Sequence, residues 1–111
     1  MKNEGFPKTL VVKKEFEFKR ILEHGARRGG ASLVVFRLRA DHHEGQKFGI
    51  KVARGIKKAA SRNRLKRMIR EFLRRNKDRF GRDEQVVVLC RSAAAEKDVR
   101  ELKAEMVSLI R

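Results

Sequence analysis

The stretch Ser61–Arg75, SRNRLKRMIREFLRR, decides how this chain is read. Leu65, Met68, Ile69, Phe72 and Leu73 recur at i, i+3, i+4, i+7 and i+8. At about 100° per residue they form one apolar stripe of an α-helix. On the far side Asn63, Arg67, Arg70 and Arg74 make a second stripe, flanked by Arg64, Lys66 and Lys77. Glu71 is the only acid in the stretch. A helix that needs only solubility interleaves Glu with Lys at i, i+4. A face this uniformly cationic calls for a polyanion, and the apolar face calls for a sheet.

The flanking sequence supplies that sheet. Ser32 to Ala40 alternates, with Val34, Phe36 and Leu38 facing one way and Leu33, Val35, Arg37 and Arg39 the other. After a polar turn over Asp41–Gln46, Lys47 to Ala53 returns as a second strand, predicting an antiparallel hairpin. Gly49 within it marks a bulge or a close approach by another group. The central helix is expected to begin between Ile56 and Ala60, although Lys57 and Lys58 are poor caps for a positive helix end. Beyond the helix, Val86, Val87, Val88 and Leu89 lie in a row within Gln85–Arg91, the pattern of a strand covered on both faces.

The ends are helical. Lys13 to His24 places Phe18, Ile21 and Leu22 on one side and Gly25 where a left-handed residue closes a helix, whereas Phe16 points elsewhere. Arg27 to Ala31 reads as a basic loop. Ser92 offers an N-cap, and Val99, Leu102, Met106, Leu109 and Ile110 form the stripe of a last helix. Residues 1–9 read as a flexible arm. The expectation is one α+β domain over residues 1–111, an α/β sandwich in the order α-β-β-α-β-α with a mixed sheet.

Charge is focused. The formal net charge is +16, and Arg54–Arg82 carries 13 Lys and Arg against two acids, leaving 17 basic and 12 acidic residues for the rest of the chain. Such a field attracts nucleic acid or an anionic membrane, but no run approaches the roughly 18 apolar residues of a span. The N-terminal residues, with Glu4 and Pro7, do not resemble a secretory signal. Cys90 is the single cysteine, so it forms no internal disulfide and reads as a buried small hydrophobe; a reducing cytoplasm is the expected location. His24, His42 and His43 are too few for a metal site. No nucleophile–base arrangement or phosphate-cradling glycine loop is present, so no catalytic residue and no protein-bound metal are expected.

Gly49-Ile50-Lys51-Val52, followed by Ala59-Ala60-Ser61-Arg62-Asn63-Arg64-Leu65-Lys66-Arg67-Met68-Ile69-Arg70-Glu71, resembles the signature of the protein subunit of bacterial ribonuclease P. Phe18 with His24-Gly25, the Phe36 strand, the Val86–Arg91 strand and the terminal helix stand in that family's order, so the likeness spans nearly the whole chain. It implies a ribosomal-protein-like sandwich with a left-handed crossover, against the usual rule. It also implies a partner RNA that carries out catalysis with bound Mg2+, and a precursor tRNA substrate whose 5′ leader lies in a cleft between the first helix and the sheet. Carried onto this chain, the RNA-binding positions are Arg62, Asn63, Arg64, Lys66, Arg67 and Arg70, with Arg74 continuing the stripe. The cleft positions are Phe18, Leu22 and Phe36, with Lys51 and Arg54 at its edge. Leu22 stands where some relatives have an aromatic residue, and Ala53-Arg54-Gly55 replaces a frequent Ser-Lys-Lys, with Lys51 in partial compensation.

Taken without the resemblance, Phe18 and Phe36 are ordinary core residues; with it, a partly exposed groove is expected. The competing reading is a structural RNA-binding protein of ribosomal or chaperone type. A DNA reader with this helix in the major groove is a third, although no dimer seam is evident.

Overall fold

A computed structural model describes residues 10–40 and 45–111. The expected flexible arm (residues 1–9) and most of the expected Asp41–Gln46 turn, with His42 and His43, lie outside the described residues. The elements are α1 (Glu15–His24), β1 (Ala26–Gly29), β2 (Leu33–Arg39), β3 (Lys47–Val52), α2 (Ala59–Arg75), β4 (Glu84–Cys90) and α3 (Val99–Leu109). The strands form one mixed sheet in the order β1-β2-β4-β3, in which β3 runs parallel to β4 and the other pairings are antiparallel.

Period-two alternation divides the apolar side chains between the two faces. Leu33, Val35, Phe48, Val52, Val86, Val88 and Cys90 pack beneath Leu65, Ile69, Phe72 and Leu73 of α2 and Leu102, Met106 and Leu109 of α3. Val34, Phe36 and Val87 face the other way, against Ile21 of α1 and against Val12, which precedes that helix. The sheet is thus the middle layer, with α2 and α3 on one side and α1 on the other. Four of the five stripe residues of α2 are buried, and Met68 packs at the margin.

The structure corrects several expectations. β2 and β3 do not form a hairpin, because β4 lies between them. Gln85 to Val88 are buried on both faces, so β4 gains most from two neighbours. β3, carrying Lys47 and Lys51, suits an edge. The expected loop over Arg27–Ala31 contains β1, paired from Ala26↔Arg37 to Gly29↔Val34. All four of its residues are exposed, so no hydrophobic alternation announced it. Gly25 is extended, at φ −74° and ψ 154°, rather than left-handed; a Cβ there would lie 2.6 Å from the Ile21 carbonyl oxygen. Ser92 begins a 3-10 segment, Ser92–Glu96, and the cap of α3 is Asp98. The Asp98 carboxylate accepts from Glu101 N at 2.8 Å while Glu101 accepts from Asp98 N at 3.1 Å. Val99, assigned to the buried stripe, is exposed. Phe80 is buried edge-on to Phe48, with centroids 5.4 Å apart.

Candidate nucleic-acid interface

The cationic face of α2 separates into two groups. Arg62 turns back under the helix start, donating from Nη1 to the Ala53 and Ile56 carbonyls at 3.0 Å each and from Nη2 to that of Val52 at 3.5 Å. Arg64 donates to the Ala95 and Lys97 carbonyls. Arg74 forms a two-point pair with Glu71, at 3.1 and 2.6 Å, and Arg75 shares the same carboxylate. These guanidinium bonds, Arg74's first, hold the Glu71 carboxyl down to about 2. By contrast Asn63, Arg67 and Arg70 are exposed and Lys66 is half-buried, and none of the four has a hydrogen bond or ion pair among the described residues. Desolvated phosphate contacts are open to this second group without breaking protein contacts.

The start of α2 is also uncompensated. Lys58 is the N-cap without a side-chain bond, no acid lies in the first turn, and Lys57 and Lys58 are exposed. Two cations beside free helix N–H groups repel each other and the dipole, and an anion there relieves both.

The cleft is built around Gly49. A Cβ at that position would fall 2.7 Å from Cε1 of Phe18 and 2.9 Å from Cβ of Val12. The missing side chain is what lets the Phe18 ring lie against β3. Lys51 Nζ sits 4.8 Å from the centroid of that ring and 3.2 Å from Glu15. Two positions earlier on the same face, beyond Gly49, Lys47 pairs with Glu17 at 2.9 Å, and this bond holds the Glu17 carboxyl down to about 2. Glu17 also accepts from the backbone N–H groups of Lys13 and Lys14, fixing the entry to α1.

Phe18 walls two adjoining grooves. The larger, about 490 Å3, runs past Lys51, Arg54, Lys66 and Leu89; the smaller, about 170 Å3, runs past Gly49, Lys66 and Arg70. Of the five cleft positions expected from sequence, Phe18, Lys51 and Arg54 line the larger groove. Leu22 is half-buried and Phe36 is only 8% exposed, both within the cluster under α1. Phe36 is therefore core rather than groove, because α1 lies over it.

Two features were not found by sequence reasoning. Lys66 and Arg70 are walls of the cleft as well as members of the helix face, so the two surfaces that sequence reading kept apart are one. Leu89 supplies apolar floor; its place at the end of a doubly apolar strand was the available signal. Phe16, which the helical period points away from the apolar stripe, is 65% exposed, with Lys14 Nζ 5.7 Å from its ring centroid. Among the described residues no group of three or more His, Cys, Asp and Glu is placed to hold a metal ion. No described helix is long and apolar enough to cross a membrane. Cys90 is buried, and burial pushes its thiol up to about 11.

Comparison with known proteins supplies the context. The family model described as Ribonuclease P matches residues 6–111. The ribonuclease P protein component of Bacillus cereus is 29% identical over 100 residues, covering 90% of this chain and 87% of that protein. The solved structure of a Staphylococcus aureus RNase P protein mutant with defective mRNA degradation activity superposes with a TM-score of 0.82 at 25% identity, over 93% of this chain and 86% of that one. The RNase P protein from Thermotoga maritima superposes with a TM-score of 0.75 at 26% identity, over 90% and 94%.

Proposed function

The chain belongs to the ribonuclease P protein family, and on that footing we propose how it serves the holoenzyme: one continuous basic cleft binds both the catalytic RNA and the 5′ leader of precursor tRNA. As the protein component of an endoribonuclease that matures the 5′ end of tRNA, it assists a reaction whose catalytic centre lies in RNA. That assignment sets aside the ribosomal, chaperone and DNA-binding alternatives. The observation that carries the proposal is the placement of Lys66 and Arg70, which have no partner among the described residues, opposite Phe18 across the same groove.

In this reading Asn63, Lys66, Arg67 and Arg70 take RNA phosphates, with Lys57 and Lys58 beside the helix start. Phe18 offers a partly exposed ring on which a leader base stacks, worth about 1 to 3 kcal/mol. Lys51 and Arg54 hold the leader backbone at the groove's edge. Arg62, Arg64 and Arg74 shape the surface through their own protein contacts. In this reading magnesium is held by the RNA, and the protein's cations lower the demand for it by screening phosphate repulsion. Binding of this kind is steeply salt-dependent. The cytoplasm is the proposed location.

The test is cleavage of precursor tRNA by the RNA subunit with and without the protein across a magnesium titration. Added protein is expected to restore cleavage at magnesium concentrations where the RNA alone is inactive. No gain at low magnesium overturns the proposal.

A further inference from the structure

We propose that Glu15 is a positioning residue that stands in for phosphate: it keeps the Lys51 ammonium over the Phe18 ring in the free protein, as a latch that single-stranded RNA must displace to reach the ring. The inference rests on the cleft reading above and deepens it. It concerns an acidic side chain that belongs to neither the helix motif nor the walls of either groove.

Two ion pairs straddle the point where α1 meets β3. Phe48 and Val52 pack on the α2 side, so alternation sends Lys47, Gly49 and Lys51 to the α1 side, where Phe18 lies against Gly49 between the two lysines. Glu17 takes Lys47 and Glu15 takes Lys51. The two pairs differ in kind. The Glu17 side chain is 15% exposed, and its carboxylate also accepts from two backbone N–H groups at the helix entry. The Glu15 side chain is 83% exposed, and Lys51, at 3.2 Å, is its one polar partner among the described residues. An exposed pair of this sort adds little to stability and exchanges readily for another anion. The inner pair therefore anchors the helix, and the outer one is free to open.

Opening it matters because of where the ammonium sits. Lys51 Nζ is 4.8 Å from the Phe18 ring centroid, and Lys51 and Phe18 share the larger groove but not the smaller. Aromatic rings stack with centroids about 4.5 to 7 Å apart. The ammonium thus occupies the place of a base that enters the larger groove. Attraction to the ring and to Glu15 holds it there together. A phosphodiester offers Lys51 a charged acceptor in exchange for the carboxylate. Single-stranded RNA carries both things the exchange needs, a phosphate for the lysine and an unstacked base for the ring. Glu15 therefore lowers the affinity of the cleft for RNA, and it does so through Lys51. It also makes binding there less dependent on salt, because Lys51 enters the complex already neutralised.

The experiment compares binding of precursor tRNA, with a leader of about ten nucleotides, and of mature tRNA to the assembled holoenzyme across a salt titration. Wild type is expected to bind the precursor more tightly. Glu15→Gln is expected to raise that advantage about threefold and to steepen its salt slope by about one. Glu23→Gln, removing equal charge from the exposed far end of the same helix, changes neither. In a Lys51→Met background Glu15→Gln has no effect. A second measurement needs no change at Glu15, and so stands if that variant fails to fold. In the free full-length protein the Lys51 ε-methylene proton resonances are expected to lie upfield, shielded by the Phe18 ring. Saturation with a single-stranded RNA of about ten nucleotides returns them toward the ordinary lysine position. Resonances that are not upfield, or that RNA leaves in place, overturn the latch. The same tightening in Glu23→Gln, or in the Lys51→Met background, overturns it in favour of bulk charge. A folded Glu15→Gln protein whose precursor advantage is unchanged or reduced refutes the latch alone, and no precursor advantage in wild type refutes the cleft reading beneath it.

Discussion

Arg62 opens the family motif, yet its guanidinium is spent on three backbone carbonyls where β3 leads into α2. Replacing it with Met keeps most of the side-chain stem and removes the donors. Two of the bonds are 3.0 Å and part-buried, while the third, at 3.5 Å, contributes little. Counting about 1 to 1.5 kcal/mol net for each good bond, Arg62→Met is expected to destabilise the free protein by about 2 to 3 kcal/mol. In a domain of this size that lowers the melting temperature by on the order of 10 °C or more. The assay is thermal unfolding of the RNA-free protein followed by circular dichroism, with Arg67→Met as the comparison. Arg67 is exposed and has no partner among the described residues, so its loss is expected to change stability by no more than about 0.5 kcal/mol. It should instead weaken RNA binding and reduce the salt slope by about one. An Arg62→Met protein that melts like wild type and loses only RNA affinity would refute the assignment of Arg62 to the scaffold.

Two further outcomes follow from the packing of α1 and from the ion pairs of α1 and α2. Gly49→Ala drives a methyl into the Phe18 ring and Val12; overpacking of this kind is expected to cost about 1 to 3 kcal/mol by urea titration and to reduce the advantage of precursor over mature tRNA in binding. Glu17 and Glu71 both titrate lower in the folded protein, at about 2 against 4.5. A depressed carboxylate stabilises the fold above its unfolded value and loses that contribution as pH falls, so melting temperature is expected to drop between about pH 4.5 and 2. Glu17→Gln should flatten that drop, and an unchanged profile in the variant would show that the Lys47 pair carries none of it.

What sequence reading recovered, and what it missed, has a common physical cause. The α2 stripe, the alternation of β2 and the doubly apolar β4 were legible because burial imposes a period on the residues that satisfy it. β1 was illegible because all four of its residues are exposed, so no apolar period marks it. Sheet order was misread because loop length favours a hairpin locally, while the choice of central strand depends on a segment some 40 residues later. Motif spacing found the helix but assigned one role to all its cations. Which arginines face solvent and which reach a carbonyl depends on chain from Val52 to Lys97, and no local pattern encodes that. Phe36 was drawn into the cleft because nothing in its own strand records that α1 covers it.

The sheet's two outer margins bear on how a protein this basic stays separate before any RNA reaches it. Along β3 the margin is already taken: Val11 bridges to Phe48 in parallel, and Val12 N donates to the Phe48 carbonyl at 2.9 Å. The open margin is β1, whose unpaired backbone groups invite a second copy to extend the sheet. Arg27 and Arg28 make that approach unfavourable, since edge-to-edge pairing of two chains brings two guanidinium groups from each into one short ladder. The same short strand that lengthens the sheet therefore also guards its open margin against self-association.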